Sequence, residues 1–164
     1  MILKNWHYFL FFISLFAIAS ALIAEYIFDL QPCDLCLKQR HPYYIIFTIL
    51  ICILFISSKY KIWFFVLIQL AIIYGLFYSI WHVGVENKFI SGPSGCKAGL
   101  EKSLNTQSLK DQILSKQVIS CDEVVWSFFG ISAASLNSIV LVFIFIVNAL
   151  YIIKNYGSQK KEYL

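Results

Sequence analysis

Two cysteines separated by two residues, Cys33 and Cys36, stand in a short polar segment between two long apolar runs. Thiols at this spacing can close into a small, reversible disulfide, and the thiolate is the form that attacks another disulfide. Arg40 follows one helical turn after Cys36, where its fixed positive charge would favour the thiolate. The spacing therefore indicates thiol redox chemistry. A structural disulfide and one half of a zinc site have the same spacing, so the motif alone leaves three alternatives open.

A second pair, Cys96 and Cys121, lies in the longest polar segment of the chain. Cysteine zinc sites usually combine two short knuckles, and only the first pair has that form. The wide spacing is typical of a disulfide that closes a loop, and alone it would indicate a static bridge. Two pairs in the polar segments of one small chain favour an electron relay instead. Cys52 lies inside an apolar run and is interpreted as a small buried residue.

The elements that must position these cysteines are apolar. The composition is 60% hydrophobic and 13% charged, unlike an ordinary soluble domain. We predict an all-α integral membrane protein, one domain over residues 1–164, built as a bundle of four transmembrane helices. The predicted spans are about 8–28, 41–58, 62–85 and 132–153, and the predicted outer loops are 29–40 and 86–131.

Local signals refine two of these boundaries. Proline is accepted in the first turn of a helix but not in its interior, so Pro42 predicts that the second helix begins between Lys38 and Pro42, with Cys36 just outside it. In the long loop, Ser108–Asp111 has the pattern of a capping box. It predicts a short surface helix ending near Val118, with a plain solvated loop as the alternative.

The basic residues define an orientation rather than a nucleic-acid surface. The formal charge is +4, but the lysines of the short segments lie between apolar runs and not on one face with interleaved aromatics, so we expect no nucleic-acid partner. Lysine-rich short segments stay in the cytoplasm, which predicts that both termini are cytoplasmic and both cysteine loops are outside. A cleavable signal peptide is the alternative for the first run, although that run is longer than a usual signal core.

Several motifs recur in the order of a known family, namely Pro32-Cys33-x-Leu35-Cys36, Gln39-Arg40-x-Pro42-Tyr43, Gly92-Pro93 before Cys96, Ser120-Cys121-Asp122-Glu123-Val124, and Trp126 followed by Phe129-Gly130. Together they resemble the DsbB family of bacterial disulfide-forming membrane proteins. The resemblance covers nearly the whole chain and includes four spans, two outer loops and one cysteine pair in each loop.

The resemblance implies a thiol:quinone oxidoreductase of the bacterial inner membrane, with its redox loops in the periplasm. Its partner would be a DsbA-like oxidase with a thioredoxin fold, which would attack the Cys96–Cys121 disulfide at Cys96. Exchange with Cys33–Cys36 would pass the electrons inward, and Cys36 would deliver them to ubiquinone or menaquinone. The four cysteines are thus the expected catalytic residues.

Three residues beside Cys36 are the expected quinone ligands: Gln39, Arg40 and His41. Arg40 is predicted to stabilise both the Cys36 thiolate and the oxygen of a reduced quinone, although an arginine at the end of a span can also anchor in lipid headgroups. His41 and His82 are candidate proton relays or polar anchors. The roles of two further residues, Glu25 and Trp126, stay open, and we expect no metal.

Two other functions are kept beside this one. A related thiol–quinone relay could run in the opposite direction or on a dedicated partner. From a different class, the chain could be a non-catalytic four-span scaffold whose outer loops are stapled by two structural disulfides. Interchanging thiols and an arginine beside them are features that a scaffold does not need.

Overall fold

The computed structural model describes residues 5–30, 32–55, 60–93, 121, 124, 127–128 and 130–162, with side chains as far as residue 156. Four helices fill most of these ranges: α1 (Trp6–Tyr26), α2 (Asp34–Leu54), α3 (Lys61–Glu86) and α4 (Ala133–Glu162). A small antiparallel hairpin of β1 (Ser127–Phe128) and β2 (Ile131–Ser132) directly precedes α4. The predicted helical class is therefore confirmed.

Three of these helices are long and apolar enough to cross a membrane: α1, α3 and the part of α4 over Ala133–Tyr156. A helix satisfies its own backbone polar groups, so apolar runs of this length fold as helices in hydrocarbon. The charged residues Asp34, Lys38 and Arg40 make the first turns of α2 more polar than the other three helices. A fourth span, and the orientation of the loops, therefore stay predictions.

The helices pack as neighbours in chain order. α3 lies between α2 and α4 and contacts both, while α1 packs mainly on α2. The interior between them is filled by large side chains from all four helices, including Trp6, Leu10, Ile46, Ile68, Ile72, Leu141 and Ile144. This apolar core holds the helices in the order that the site requires.

The crossing of α2 and α3 is unusually close at Gly75. A Cβ atom added to Gly75 would lie 2.7 Å from Pro42 Cγ and 3.2 Å from a methyl group of Leu141. Small residues allow helix backbones to approach in membrane bundles. Gly75 therefore lets the proline ring of α2 pack directly on the backbone of α3.

A polar cluster ties the other end of the bundle together. Trp6 Nε1 donates a hydrogen bond of 3.0 Å to Asn148 Oδ1. The Asn148 amide donates to Gln69 Oε1 at 2.7 Å and to the backbone carbonyl of Phe65 at 3.2 Å. Because Trp6 and Asn148 are fully buried, these bonds join α1, α3 and α4 without water.

The start of α2 differs from the prediction. The helix begins at Asp34, before the predicted range that opened at Lys38, and Cys36 lies in its first turn. Cys33 is the N-cap residue: its backbone is extended, and its sulfur accepts a hydrogen bond of 3.3 Å from the free backbone N–H of Cys36. Pro42 thus lies inside the helix, where the prediction did not allow it. Its packing on Gly75 accompanies this exception to the usual rule.

The N-terminus of α4 agrees with its predicted start near Ser132. Ser132 Oγ accepts a hydrogen bond of 3.1 Å from the backbone N–H of Ser135, as an N-cap serine does. The predicted surface helix over residues 108–118 lies outside the described residues, and so does Cys96.

Candidate redox site

The two cysteines of the first pair meet at the N-terminus of α2. Because Cys33 caps the helix and Cys36 occupies its first turn, their sulfur atoms lie 2.9 Å apart. Both thiols are free, and Cys33 is buried whereas Cys36 is half-buried. A short movement of either side chain would bring the sulfurs to the length of a disulfide bond. The pair is therefore a dithiol arranged to close.

His82 of α3 reaches the pair from the interior of the bundle. Its Nε2 atom lies 3.7 Å from Cys33 Sγ, and its Nδ1 atom lies 2.8 Å from the side-chain nitrogen of Gln39. Only 4% of His82 is exposed, so these contacts are made away from water. The histidine that the sequence suggested as a relay or an anchor is in fact a direct neighbour of the first cysteine.

A chain of buried hydrogen bonds continues from Gln39 to α4. Asn137 donates from its amide nitrogen to Gln39 Oε1 at 3.0 Å and to Ser79 Oγ at 3.2 Å. Tyr43 donates from its hydroxyl to Asn137 Oδ1 at 2.6 Å. Three helices thus share one polar network that ends at the thiol pair.

A carboxylate lies on the same face of α3, one turn after His82. Glu86 Oε1 is 3.9 Å from His82 Nε2, and its other oxygen accepts a hydrogen bond of 2.5 Å from Ser132 Oγ. Only 7% of the Glu86 side chain is exposed. The redox site therefore contains a buried acid that the sequence analysis did not select, although its position four residues after His82 was the available signal.

One member of the second pair lies close to the first pair. Cys121 is buried and belongs to the same apolar cluster as Cys33, Leu35 and Val85. Cys121 is disulfide-bonded, whereas Cys33, Cys36 and Cys52 are free thiols. Its predicted partner, Cys96, lies outside the described residues. The structure therefore places a disulfide-bonded cysteine from the segment before β1 in one buried cluster with the dithiol at the start of α2.

The thiolate of the reduced pair is favoured at Cys33. The Cys36 thiol donates a hydrogen bond to the Cys33 sulfur, and this bond outweighs burial and lowers the pKa of Cys33 to about 4, with His82 and the Cys36 backbone N–H assisting. The sequence placed the lowered pKa on Cys36 instead. The difference arises because Cys33, not Cys36, occupies the N-cap position where donors converge.

Arg40 has a partner that the sequence analysis did not name. Its guanidinium forms an ion pair with Glu25 of α1, and the two side chains are 15% and 22% exposed. Arg40 also lies one turn after Cys36 on the same face of α2, so its charge acts on that sulfur as well. This pair explains the acidic residue at the end of α1, whose role the sequence left open.

The other two expected quinone ligands face different neighbours. Gln39 is buried in the polar network with His82 and Asn137. His41 is exposed and lies 3.4 Å from the hydroxyl of Tyr74. His41 and Tyr74, together with Tyr44 and Ile45, line an open groove of about 380 Å³ between α2 and α3. The structure thus gives Gln39, Arg40 and His41 three separate sets of partners.

Among the described residues, one group of side chains could hold a metal ion. The donor atoms of Cys33, Cys36 and His82 all lie within 4.8 Å of one another. The Gln39 amide nitrogen can only donate, so His82 Nδ1 accepts and the ring proton lies on Nε2, the atom that faces the sulfurs. A protonated nitrogen is not a ligand, so the hydrogen bonds favour a thiol site over a metal site.

Comparisons with known proteins agree with this chemistry. The family model described as "Disulfide bond formation protein DsbB" matches residues 4–151. A protein of Rickettsia prowazekii (strain Madrid E) that is described as "Uncharacterized protein RP370" is 31% identical over 129 residues, which is 76% of this chain and 73% of that protein. No solved structure matches the chain.

Proposed function

Because this chain belongs to the DsbB family of disulfide bond formation proteins, we propose that it is a thiol:quinone oxidoreductase of the bacterial inner membrane. It would reoxidise a DsbA-like periplasmic oxidase and pass the electrons through two cysteine pairs to a membrane quinone. Both termini would be cytoplasmic and both cysteine loops periplasmic. The lysines of the short segments and the three apolar helices support this placement.

The observation that carries the proposal is that Cys121 shares a buried cluster with the first cysteine pair. Cys121, which is disulfide-bonded, shares a buried cluster with Cys33, whose sulfur lies 2.9 Å from Cys36. A purely structural disulfide in an outer loop has no reason to pack beside a second pair of free thiols. Electron transfer by thiol–disulfide exchange requires this proximity.

The steps of the relay balance as follows. The reduced partner would attack the Cys96–Cys121 disulfide at Cys96 and form a mixed disulfide. The partner would then leave as its own disulfide, so that Cys96 and Cys121, the outer pair, become a dithiol. Cys33 and Cys36 are the inner pair. A thiolate of the outer pair, which Cys121 is placed to supply, would then attack Cys33 and expel Cys36. Cys96 would next attack Cys121 in the resulting Cys121–Cys33 disulfide and expel Cys33, which closes the Cys96–Cys121 disulfide and leaves two electrons on Cys33 and Cys36.

The outer end of α2 is the proposed place where the electrons leave. Cys36 and Arg40 lie on one face of α2, and Glu25 orients the guanidinium from α1. A half-buried cation beside a half-buried sulfur fits an acceptor whose oxygens gain negative charge. A bound quinone would supply the two-electron acceptor there, with ubiquinone and menaquinone both suited to such a site. His41 and Gln39 are kept as further candidate ligands.

Quinone reduction by the purified protein in detergent tests the proposal. The assay would use a reduced thioredoxin-fold oxidase as the electron donor and would follow ubiquinone and menaquinone analogues in separate reactions. Turnover in the parent protein that Cys33→Ser and Cys121→Ser abolish is the expected result. Cys52→Ser is the matched control, because Cys52 is a free thiol of α2 outside both pairs and should leave turnover unchanged.

The opposite outcome would identify the alternative function. If the parent shows no turnover with either quinone, and its outer disulfide resists the reduced oxidase, the cysteines are structural. The chain would then be a stapled membrane scaffold, and the membership of the family would not extend to its activity.

A further inference from the structure

The imidazole of His82 is held at both of its nitrogen atoms. The side-chain nitrogen of Gln39 lies 2.8 Å from Nδ1, and an amide nitrogen has only donors, so Nδ1 is the acceptor. A neutral ring with an accepting Nδ1 carries its proton on Nε2. The nearest partner for that proton is Cys33 Sγ at 3.7 Å, since Glu86 Oε1 at 3.9 Å is too far for a hydrogen bond.

The orientation of Gln39 is fixed in turn by α4. Its side-chain oxygen accepts from the Asn137 amide nitrogen at 3.0 Å, while Asn137 Oδ1 accepts from Tyr43. The Asn137 nitrogen donates to Ser79 as well. Turning over the Gln39 amide would therefore place two donors against each other at Asn137. The two amides are therefore coupled, and the arrangement in the structure selects the tautomer of His82 whose proton lies on Nε2.

A buried carboxylate acts against this arrangement. The Glu86 carboxylate favours a doubly protonated, positive ring at 3.9 Å, and Cys33 would do the same as a thiolate. A proton on Nδ1 would point at the donating amide of Gln39. Ser132 donates a hydrogen bond to Glu86, which weakens the attraction of that carboxylate for the ring. No titratable side chain of α4 meets the ring among the described residues. The hydrogen bond from Gln39 therefore decides which ring nitrogen carries the proton of His82, namely Nε2.

We propose that His82 is a fixed hydrogen-bond donor to the Cys33 sulfur and not a proton carrier, with Gln39 and Asn137 as the positioning residues that hold its Nε2–H toward that sulfur. This inference rests on the proposed function only in taking Cys33 and Cys36 as an exchanging pair. It gives His82 a role different from the proton relay and the polar anchor that the sequence left open, because Gln39 already donates to Nδ1.

The consequence is a more oxidising inner pair. When an outer dithiol reduces the Cys33–Cys36 disulfide, two electrons enter the pair, the S–S bond breaks, Cys36 takes up one proton and Cys33 keeps the negative charge. The outer pair closes its own disulfide and releases two protons. One of them protonates Cys36, and the other enters the solvent. A donor that stabilises the Cys33 thiolate stabilises the reduced pair and so raises its reduction potential.

The reduction potential of the inner pair in glutathione buffers tests the proposal without quinone or partner oxidase. The state of Cys33 and Cys36 in the full chain would be read by differential alkylation and mass spectrometry. We expect His82→Leu to disfavour the reduced pair roughly tenfold, about 30 mV for two electrons. His82→Gln keeps a donating amide but cannot take a proton. We therefore expect the equilibrium constant for reduction of the pair to stay within about twofold of the parent value.

The positioning residues have a matched control on the same helix. Asn137→Leu should lower the potential, and the ¹⁵N chemical shifts of the His82 ring should show that the proton no longer stays on Nε2. Asn148→Leu removes an asparagine that bonds to Trp6 and Gln69 instead, and should change neither readout. Histidine signals would be assigned with His7→Gln and His41→Gln.

Two results would overturn the proposal. One is a parent protein whose His82 ring carries its proton on Nδ1, which needs no variant to be observed. The other is a potential that falls as far in His82→Gln as in His82→Leu, because a required proton carrier cannot be replaced by an amide. Failure of the proposed function has a separate signature, which is a normal potential without quinone turnover.

Discussion

The lowered pKa of Cys33 predicts an unusual pH profile for its alkylation. An ordinary cysteine has a pKa of about 8.5, so at pH 6 only about 0.3% of it is thiolate. With a pKa of about 4, Cys33 is almost wholly thiolate at the same pH. Its thiolate fraction is therefore roughly 300-fold larger than that of an ordinary cysteine. Its intrinsic nucleophilicity falls with the pKa, by roughly 100-fold for a Brønsted slope near 0.45. The two effects nearly cancel at pH 6.

The shape of the profile is therefore the diagnostic, not the rate. We expect the alkylation of Cys33 in the reduced protein to be flat between about pH 5.5 and pH 9, and to fall about tenfold per unit below about pH 4. Iodoacetamide is small enough for a sulfur in a residue that is only 6% exposed. Mass spectrometry of the peptide that carries Cys33 would give the rate at each pH.

A pair of variants at Cys36 isolates the cause. Cys36→Ala removes the largest contribution to the lowered pKa, the hydrogen bond from the second thiol, and should move the inflection of Cys33 upward. Cys36→Ser keeps a donor at the same place and should move it less. An inflection of Cys33 above about pH 7 in the parent protein, or equal shifts in the two variants, would refute the argument.

The same shift has a consequence for stability. Because the folded pKa of Cys33 is lower than the unfolded one, the unfolded reduced chain binds more protons between about pH 4 and pH 8.5. The stabilisation is full above about pH 8.5 and is lost as the pH falls toward about 4. Thermal unfolding of the reduced protein should show this loss, and the Cys33→Ser protein should not.

Three further predictions concern the bundle around the site. Gly75→Ala places a methyl group 2.7 Å from Pro42 Cγ and should destabilise the protein by about 1–3 kcal/mol in denaturant unfolding; an unchanged midpoint would mean that α2 moves freely. Asn148→Leu should cost about 1 kcal/mol, measured in the same way, with an unchanged rate of thiol exchange, and a loss of exchange would contradict the separation of the two polar clusters. Arg40→Met should slow quinone reduction far more than exchange with the partner oxidase, whereas Arg40→Lys should keep part of it. Equal loss of both activities in Arg40→Met would indicate misfolding after the loss of its Glu25 pair.

The sequence predicts those features that depend on residue type and spacing. The cysteine pairs and the apolar runs are visible in one dimension, because a redox motif is local and a helix in hydrocarbon needs only length and hydropathy. The same reasoning misplaced the start of α2. A rule about proline could not include Gly75, which lies 33 positions further on and makes room for the Pro42 ring.

The polar network shows the limit more clearly. Asn137 belongs to no motif, and a single asparagine in an apolar run is read as an interruption. Its function depends on which faces of α2, α3 and α4 meet, and amphipathic periodicity barely reports this in a membrane, where the outward face is as apolar as the interior. The contact of Gln39 with His82 could not be predicted for the same reason, since its neighbour in sequence is Arg40 but its neighbour in space is His82, and its role as a quinone ligand stays a prediction.

The two asparagines of α4 differ in their partners and so separate two tasks. Asn137 and Asn148 are eleven positions apart, close to three helical turns, and therefore lie on one face of the helix. An α4 that slid by one turn along its neighbours would break both sets of hydrogen bonds at once, and an unpaired amide is expensive in a dry interior. The Asn148 cluster thus fixes the register of α4 at the end of the bundle remote from the cysteines. The Asn137 network can hold that register alone, so Asn148→Leu by itself should leave Gln39 and His82 in place beside Cys33. The double variant Asn137→Leu/Asn148→Leu is expected to lower the reduction potential of the Cys33–Cys36 pair more than Asn137→Leu alone does. A strictly additive result would show that the two clusters act independently.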